Sequence, residues 1–211
     1  MNTDWFLIPF IVNLALIAYI RVNYKDYIKQ VLVSTFEYNT SFAIYNETKN
    51  NKPKSTHLLF FIFIISGVIF TFQLFQKFLP ELTKTYFFWI PGIALFVIII
   101  LTFLNKLSNF ISGKIFMNEE ISREYNHNIT IFNQTFGIIL FPITVLISFT
   151  DAPNVFIYTG IILLSLMYLL RIIRFFKINF NKQINILYMF LYLCALEIIP
   201  ILYITKLFVM I

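Results

Sequence analysis

VFIYTGIILLSLMYLLRIIRFFKINFNK, residues 155–182, decides the fold class. Val155–Leu170 carries no charge, and then Arg171, Arg174, Lys177 and Lys182 follow in close order. An uncharged apolar run of this length that ends in a burst of cations is the pattern of a membrane span leaving the lipid on its cytoplasmic side. Working outward, the same pattern recurs along the chain. Further apolar runs are Trp5–Ile20, Leu58–Phe75, Tyr86–Leu104, Ile129–Phe149 and Ile186–Leu207. Spanning the hydrocarbon takes about 20 helical residues, with a range of roughly 17–25. The first and fifth runs are short, and Trp5, Tyr19 and Tyr168 extend them into the headgroup belt. The expected fold class is therefore an all-α integral membrane protein, one domain over residues 1–211, built as a bundle of six transmembrane helices.

Composition points the same way. The chain is 59% apolar and 12% charged, far from the balance of a soluble domain. With 27 Phe, 12 Tyr and only 5 Gly, the helices are expected to pack through bulky aromatic side chains. No Gly-xxx-Gly pair occurs, so close backbone-to-backbone contact of that kind has little support. Trp5–Ile20 is not read as a signal peptide: no cationic segment precedes it, no small-x-small cleavage site follows it, and Arg21 comes next.

The connectors alternate in charge. Arg21–His57 carries Arg21, Lys25, Lys29, Lys49, Lys52 and Lys54; Asn105–Asn128 carries Lys106, Lys114 and Arg123; Arg171–Asn185 carries Arg171, Arg174, Lys177 and Lys182. Of the 16 Lys and Arg residues, only Lys77, Lys84 and Lys206 fall on the other side. The positive-inside rule then sets both termini outside and these three connectors in the cytoplasm. The net charge of +6 is accounted for by attraction to the anionic inner leaflet, and no nucleic-acid partner is expected.

The first cytoplasmic connector contains an amphipathic helix. Tyr24, Tyr27, Ile28, Val31, Leu32 and Phe36 fall at helical spacing, with Lys25, Asp26, Lys29 and Gln30 opposite. Such a helix suits the membrane surface, a groove in a partner, or the cytoplasmic end of its own bundle. Beyond it, Asn46–Ser55 reads as a mobile polar tip, and Thr150–Asn154 as a tight outer hairpin. Lys25 and Lys29, with the row Arg171, Arg174 and Lys177, are candidate contacts for lipid phosphate or an acidic partner.

Glu197 is the most informative single residue. At 1.5 Å per residue it lies roughly 16 Å into the sixth span, near the bilayer centre. A carboxyl there marks a functional site, a buried pair or a protonated side chain that fixes how the helices pack. Pro200 removes a backbone donor and frees the carbonyl of Leu196, a break of the kind transporters use for binding. In the fourth span, Thr130, Asn133, Gln134 and Gly137 share adjacent helical stripes, followed by Pro142. Helix–helix hydrogen bonding is the expected role of Asn133 and Gln134, and of Asn13 in the first span.

Glu120, Glu124 and His127 lie on one helical face, and Glu124-x-x-His127 has the spacing of half a di-metal site. The second half is missing, so no metal is expected. The lone cysteine, Cys194, excludes an internal disulfide. Gly-rich phosphate loops, Ser-x-x-Lys pairs and His-Glu-x-x-His motifs are absent; no catalytic residue and no cofactor are expected. Asn-x-Ser/Thr triplets at Asn39, Asn46, Asn128 and Asn133 fall in or beside the cytoplasmic regions and read as chance.

The run Leu191-Tyr192-Leu193-Cys194-Ala195-Leu196-Glu197-Ile198-Ile199-Pro200, followed by Lys206, resembles the signature of an uncharacterised family of multi-pass inner-membrane proteins of the Bacteroidota, a domain of unknown function. Glu124-Tyr125 ahead of Asn133 and Pro142, and an Arg-terminated fifth span, are compatible with it. The resemblance implies a protein of the inner, cytoplasmic membrane of a diderm bacterium, and draws Tyr192, Cys194, Glu197 and Pro200 together as a unit. It implies no activity. The expected function is a non-enzymatic accessory or scaffold subunit of an inner-membrane assembly, serving protein export or envelope biogenesis, with the bilayer and other inner-membrane proteins as partners. The alternative is a small-solute or proton-coupled transporter built around Glu197 and Pro200, although residues 1–104 and 105–211 show no inverted repeat.

Overall fold

The computed structural model describes residues 4–48, 54–115 and 119–181. Among them are eight helices and no strand: α1 (Asp4–Asn23), α2 (Tyr27–Phe36), α3 (Tyr38–Thr48), α4 (Lys54–Phe78), α5 (Pro80–Thr85), α6 (Trp89–Ile115), α7 (Glu119–Phe149) and α8 (Pro153–Asn181). Five contain stretches long and apolar enough to cross a membrane, at Phe6–Asn23, Lys54–Phe78, Trp89–Leu107, Ser122–Phe149 and Pro153–Ile178. A helix is the natural form for such stretches, because lipid supplies no partners for backbone N–H and C=O groups. The expected sixth span, 186–207, lies outside the described residues.

The helices outlast the apolar runs that announced them. α7 begins at Glu119 although its apolar run begins at Ile129, and α8 continues to Asn181, past Leu170. Hydropathy locates the lipid boundary, whereas a helix continues until its backbone is broken. No Gly or Pro interrupts Glu119–Asn128 or Arg171–Asn181, so the helix continues through both. Two short helices go beyond the sequence expectation. α3 occupies the connector up to Thr48, taking in the start of the expected polar tip. α5 sits between α4 and α6 with Pro80 in its first turn, where a missing N–H costs nothing.

α4 and α7 form the centre. α4 packs on α7, α6 and α1, and α7 also packs on α8 and α2. At one end Phe6, Phe10, Ile69, Phe72 and Ile90 form a buried cluster. Its rings are in direct contact: Phe6 and Phe72 centroids are 5.6 Å apart, and Phe72 meets Phe87 edge-on at 5.2 Å. At the other end Ile20, Val31, Leu59, Ile62 and Ile131 are buried together. Val31 is the point at which α2 enters this core. The apolar face of α2 thus covers the end of its own bundle, leaving Lys29 and Phe36 exposed.

At one position the backbones do come close, against the expectation from glycine spacing. A Cβ on Gly137 of α7 would stand 2.5 Å from the Cα of Phe63 and 2.8 Å from its N. A single glycine permits this approach, without a repeated motif, because its partner surface is the backbone of Phe63 rather than a second glycine. Among the described residues, in contrast, α6 and α8 bury little of their spanning surface, with Trp89, Ile93, Phe96, Phe103, Ile162 and Leu166 exposed.

Candidate functional site

The joint between α2 and α3 is extended for one residue. Glu37 has φ −103° and ψ 120°, so α2 stops at Phe36 and α3 restarts at Tyr38. A helix that stops leaves its last carbonyls without intrahelical partners. Here Arg174, from the extension of α8, supplies them: its Nη2 donates to the carbonyls of Ser34 at 3.0 Å and Thr35 at 2.8 Å. A cation at this position also suits the negative end of the α2 dipole. Arg174 is only 5% exposed. Its guanidinium lies 5.9 Å from the centre of the Tyr38 ring and 5.7 Å from that of Phe132.

Arg174 also reaches α7, with Nη1 donating to Asn128 Oδ1 at 3.2 Å. The same oxygen accepts from Ser41 of α3 at 2.7 Å, while Asn128 Nδ2 donates to the carbonyl of Glu124 at 3.0 Å. Glu124 is 1% exposed and its Oε1 accepts from the Tyr38 hydroxyl at 2.6 Å. Thr35 of α2 and Thr135 of α7 are 2.6 Å apart, hydroxyl to hydroxyl. One buried polar cluster therefore ties α2, α3, α7 and α8. Tyr38 touches both charged side chains, the Glu124 carboxylate through its hydroxyl and Arg174 through its ring, while Asn128 holds Arg174 and is itself held by the backbone of α7.

Tyr38 titrates above the ordinary phenol range of about 10, first because it is desolvated and second because it donates to, and faces the charge of, Glu124. Arg174 works weakly in the opposite direction. A phenol whose folded value is raised holds its proton longer than the unfolded chain does, so its contribution to stability is complete below pH 10 and is lost as pH rises beyond it. Absorbance titration of phenolate is expected to show a late-ionising component, and Tyr38→Phe is expected to reduce it by one tyrosine. An unchanged late component in Tyr38→Phe would refute the assignment.

The residues singled out in the sequence are dispersed. Tyr192, Cys194, Glu197 and Pro200 lie outside the described residues. Gln134 is buried, and its Nε2 donates to the carbonyl of Thr56 at 3.0 Å, linking α7 to α4. Asn133, beside it, is half-buried. Asn13 is fully buried and donates to the Ser66 hydroxyl at 3.1 Å, joining α1 to α4. Arg171, Arg174 and Lys177 are not three equivalent anchors: Arg171 is half-buried, Arg174 turns inward, and Lys177 has its ammonium 5.8 Å from the Tyr38 ring centre. Of the expected lipid or partner contacts, Arg174 has its two terminal nitrogens on α2 and α7. Lys25 and Lys29 are exposed.

Glu124 and His127 face different partners from α3, Tyr38 for the first and the ring of Tyr45, 5.6 Å away, for the second. No group of three or more His, Cys, Asp or Glu residues gathers among the described residues. Sequence reasoning missed Tyr38, Ser41, Asn128 and Gln73. The last is buried in α4 and donates to the Thr144 carbonyl at 3.0 Å and the Ser148 hydroxyl at 2.9 Å. An amide in an otherwise apolar run is the signal that marks Gln73. Tyr38, Ser41 and Asn128 have none, because their partners lie on separate helices and α3 has little apolar periodicity to mark it.

Residues 6–208 match the family described as a domain of unknown function, DUF4271, and the chain belongs to that family. No curated protein and no solved structure matches it.

Proposed function

We propose that this chain is a non-enzymatic scaffold subunit of an assembly in the inner membrane of a diderm bacterium, serving protein export or envelope biogenesis, with its Lys- and Arg-rich end in the cytoplasm. The observation that carries the reading is the use made of the buried polar groups. Asn13, Gln73, Gln134, Asn128 and Arg174 each tie one helix to another. Catalytic and transport sites instead converge polar groups on a substrate. A chain that invests its polar side chains in rigidity, while α6 and α8 show broad apolar faces outward, is built to hold a shape against lipid and neighbouring helices. The inner-membrane location rests on the distribution of Lys and Arg and on the resemblance at Tyr192–Pro200.

After gentle solubilisation from native membranes, the protein is expected to co-purify with stoichiometric membrane partners; a lone monomer in native mass analysis overturns the scaffold reading. Glu197→Gln separates it from the transporter alternative. Loss of a proton-dependent flux in vesicles with the assembly intact favours transport, whereas dissociation from the assembly favours the scaffold.

A further inference from the structure

Arg174 pins the last turn of α2. The first turn of α2 is seated by a different group of side chains, at the start of α4 and the middle of α7. There the Tyr27 hydroxyl and Thr56 Oγ1 lie 2.8 Å apart, and Gln134 Nε2 donates to the Thr56 carbonyl at 3.0 Å. Burial raises the Tyr27 phenol above its ordinary titration range, and the side chains of Thr56, Gln134 and Ser55 pull against that rise, in that order. All three therefore surround one hydroxyl.

Two atoms of this group stand without a hydrogen-bond partner among the described residues: the Ser55 hydroxyl and Gln134 Oε1. Ser55 is 0% exposed and Gln134 is 1% exposed. Exchanging the amide oxygen and nitrogen of Gln134 does not resolve this, because the nitrogen is already correctly placed on a carbonyl. The Gln134 oxygen requires a donor, and the Ser55 hydroxyl offers one donor and can accept. Leaving both unmade would cost the desolvation of each. With Thr56 donating to the Tyr27 oxygen, the Tyr27 proton is also available to the same point.

We propose that the junction of α2, α4 and α7 binds one water molecule, which donates to Gln134 Oε1 and accepts from the Ser55 and Tyr27 hydroxyls. Three partners is the usual complement of a buried water. The unpaired amide oxygen limits the occupant to a hydrogen-bond donor. The water makes the joint between α2 and the bundle polar at its first turn, as Arg174 does at its last. α2 is thereby fixed at both ends.

Ser55→Ala removes the hydroxyl and little else. With the water in place, the variant is expected to melt about 2–4 °C below the parent and to exchange the amide hydrogens of α2 faster. A dry junction gives the opposite sign, since deleting an unpaired buried hydroxyl leaves the melting temperature unchanged or raises it, and that result overturns the proposal. Density for the parent protein in a lipid nanodisc, at a resolution that shows ordered water, provides the second measurement. A peak within about 3 Å of both Ser55 Oγ and Gln134 Oε1 supports the site; direct contact of the two side chains with no peak between them overturns it.

Discussion

Gly137→Ala is expected to destabilise the bundle more than an added methyl at any other described glycine. The new Cβ would meet the Cα, N and Cβ of Phe63 at 2.5, 2.8 and 2.9 Å. Backbone atoms in a helix cannot swing aside, so α4 and α7 must separate along their shared length, and these two helices form the centre of the bundle. Overpacking a tight site costs about 1–3 kcal/mol when side chains can adjust; here the upper end or more is expected. The other glycines provide a graded comparison. At Gly160 the obstacle is the edge of the Phe70 ring at 2.5 and 2.6 Å, which can turn, and the loss should be smaller. At Gly67 the nearest atom is Ile98 Cδ1 at 3.2 Å, which bends away at little cost. At Gly92 nothing lies within 4 Å, so alanine there should be neutral or stabilising by about 0.5–1 kcal/mol through helix propensity. Thermal unfolding in one lipid or detergent system measures all four; a Gly137→Ala melting temperature equal to that of Gly92→Ala would show that α4 and α7 do not approach as described.

Arg174→Leu should have the second large effect, confined to the Lys- and Arg-rich end. The substitution strips the carbonyls of Ser34 and Thr35 and the Oδ1 of Asn128 of a donor. Leaving a buried acceptor without its donor costs about 1–3 kcal/mol, and three acceptors lose one here. Arg174→Lys should recover little of this, because one ammonium cannot reproduce a planar fork aimed at two carbonyls and an amide. The observable is local: protease cutting near Glu37 and hydrogen exchange through α2 and α3 should accelerate, while α4 and the far ends of α7 and α8 keep their protection. Uniform loss of protection along every helix would mean that Arg174 supports the whole bundle. No change in cutting would mean that α2 is held by other contacts.

The long apolar helices were legible because a span must be both apolar and uncharged for about 20 residues, a demand that few other structures make. Their true ends were not legible, as α7 and α8 show, because a helix extension in water needs only an amphipathic face and the absence of a breaker. α2 was visible from its helical spacing, but three surfaces competed for its apolar face, and only the placement of Val31 among Ile20, Leu59, Ile62 and Ile131 decided among them. The row Arg171, Arg174 and Lys177 illustrates the same limit at the level of charge. Three cations at a spacing of three do not lie on one line of a helix that turns every 3.6 residues. One of them can therefore face the protein while another faces water.

By itself the chain determined its periodicity and its apolar segments: which stretches are apolar enough to enter lipid, and that they must be helical there. These follow from the free energy of single residues and need no knowledge of neighbours. Tertiary structure alone decided which helix lies against which, that Arg174 closes the end of α2, that Tyr38 stands between Glu124 and Arg174, and that Gly137 admits the backbone of Phe63. Each of those depends on two distant segments meeting at hydrogen-bond or van der Waals range, and a residue's polarity carries no record of the partner it will meet.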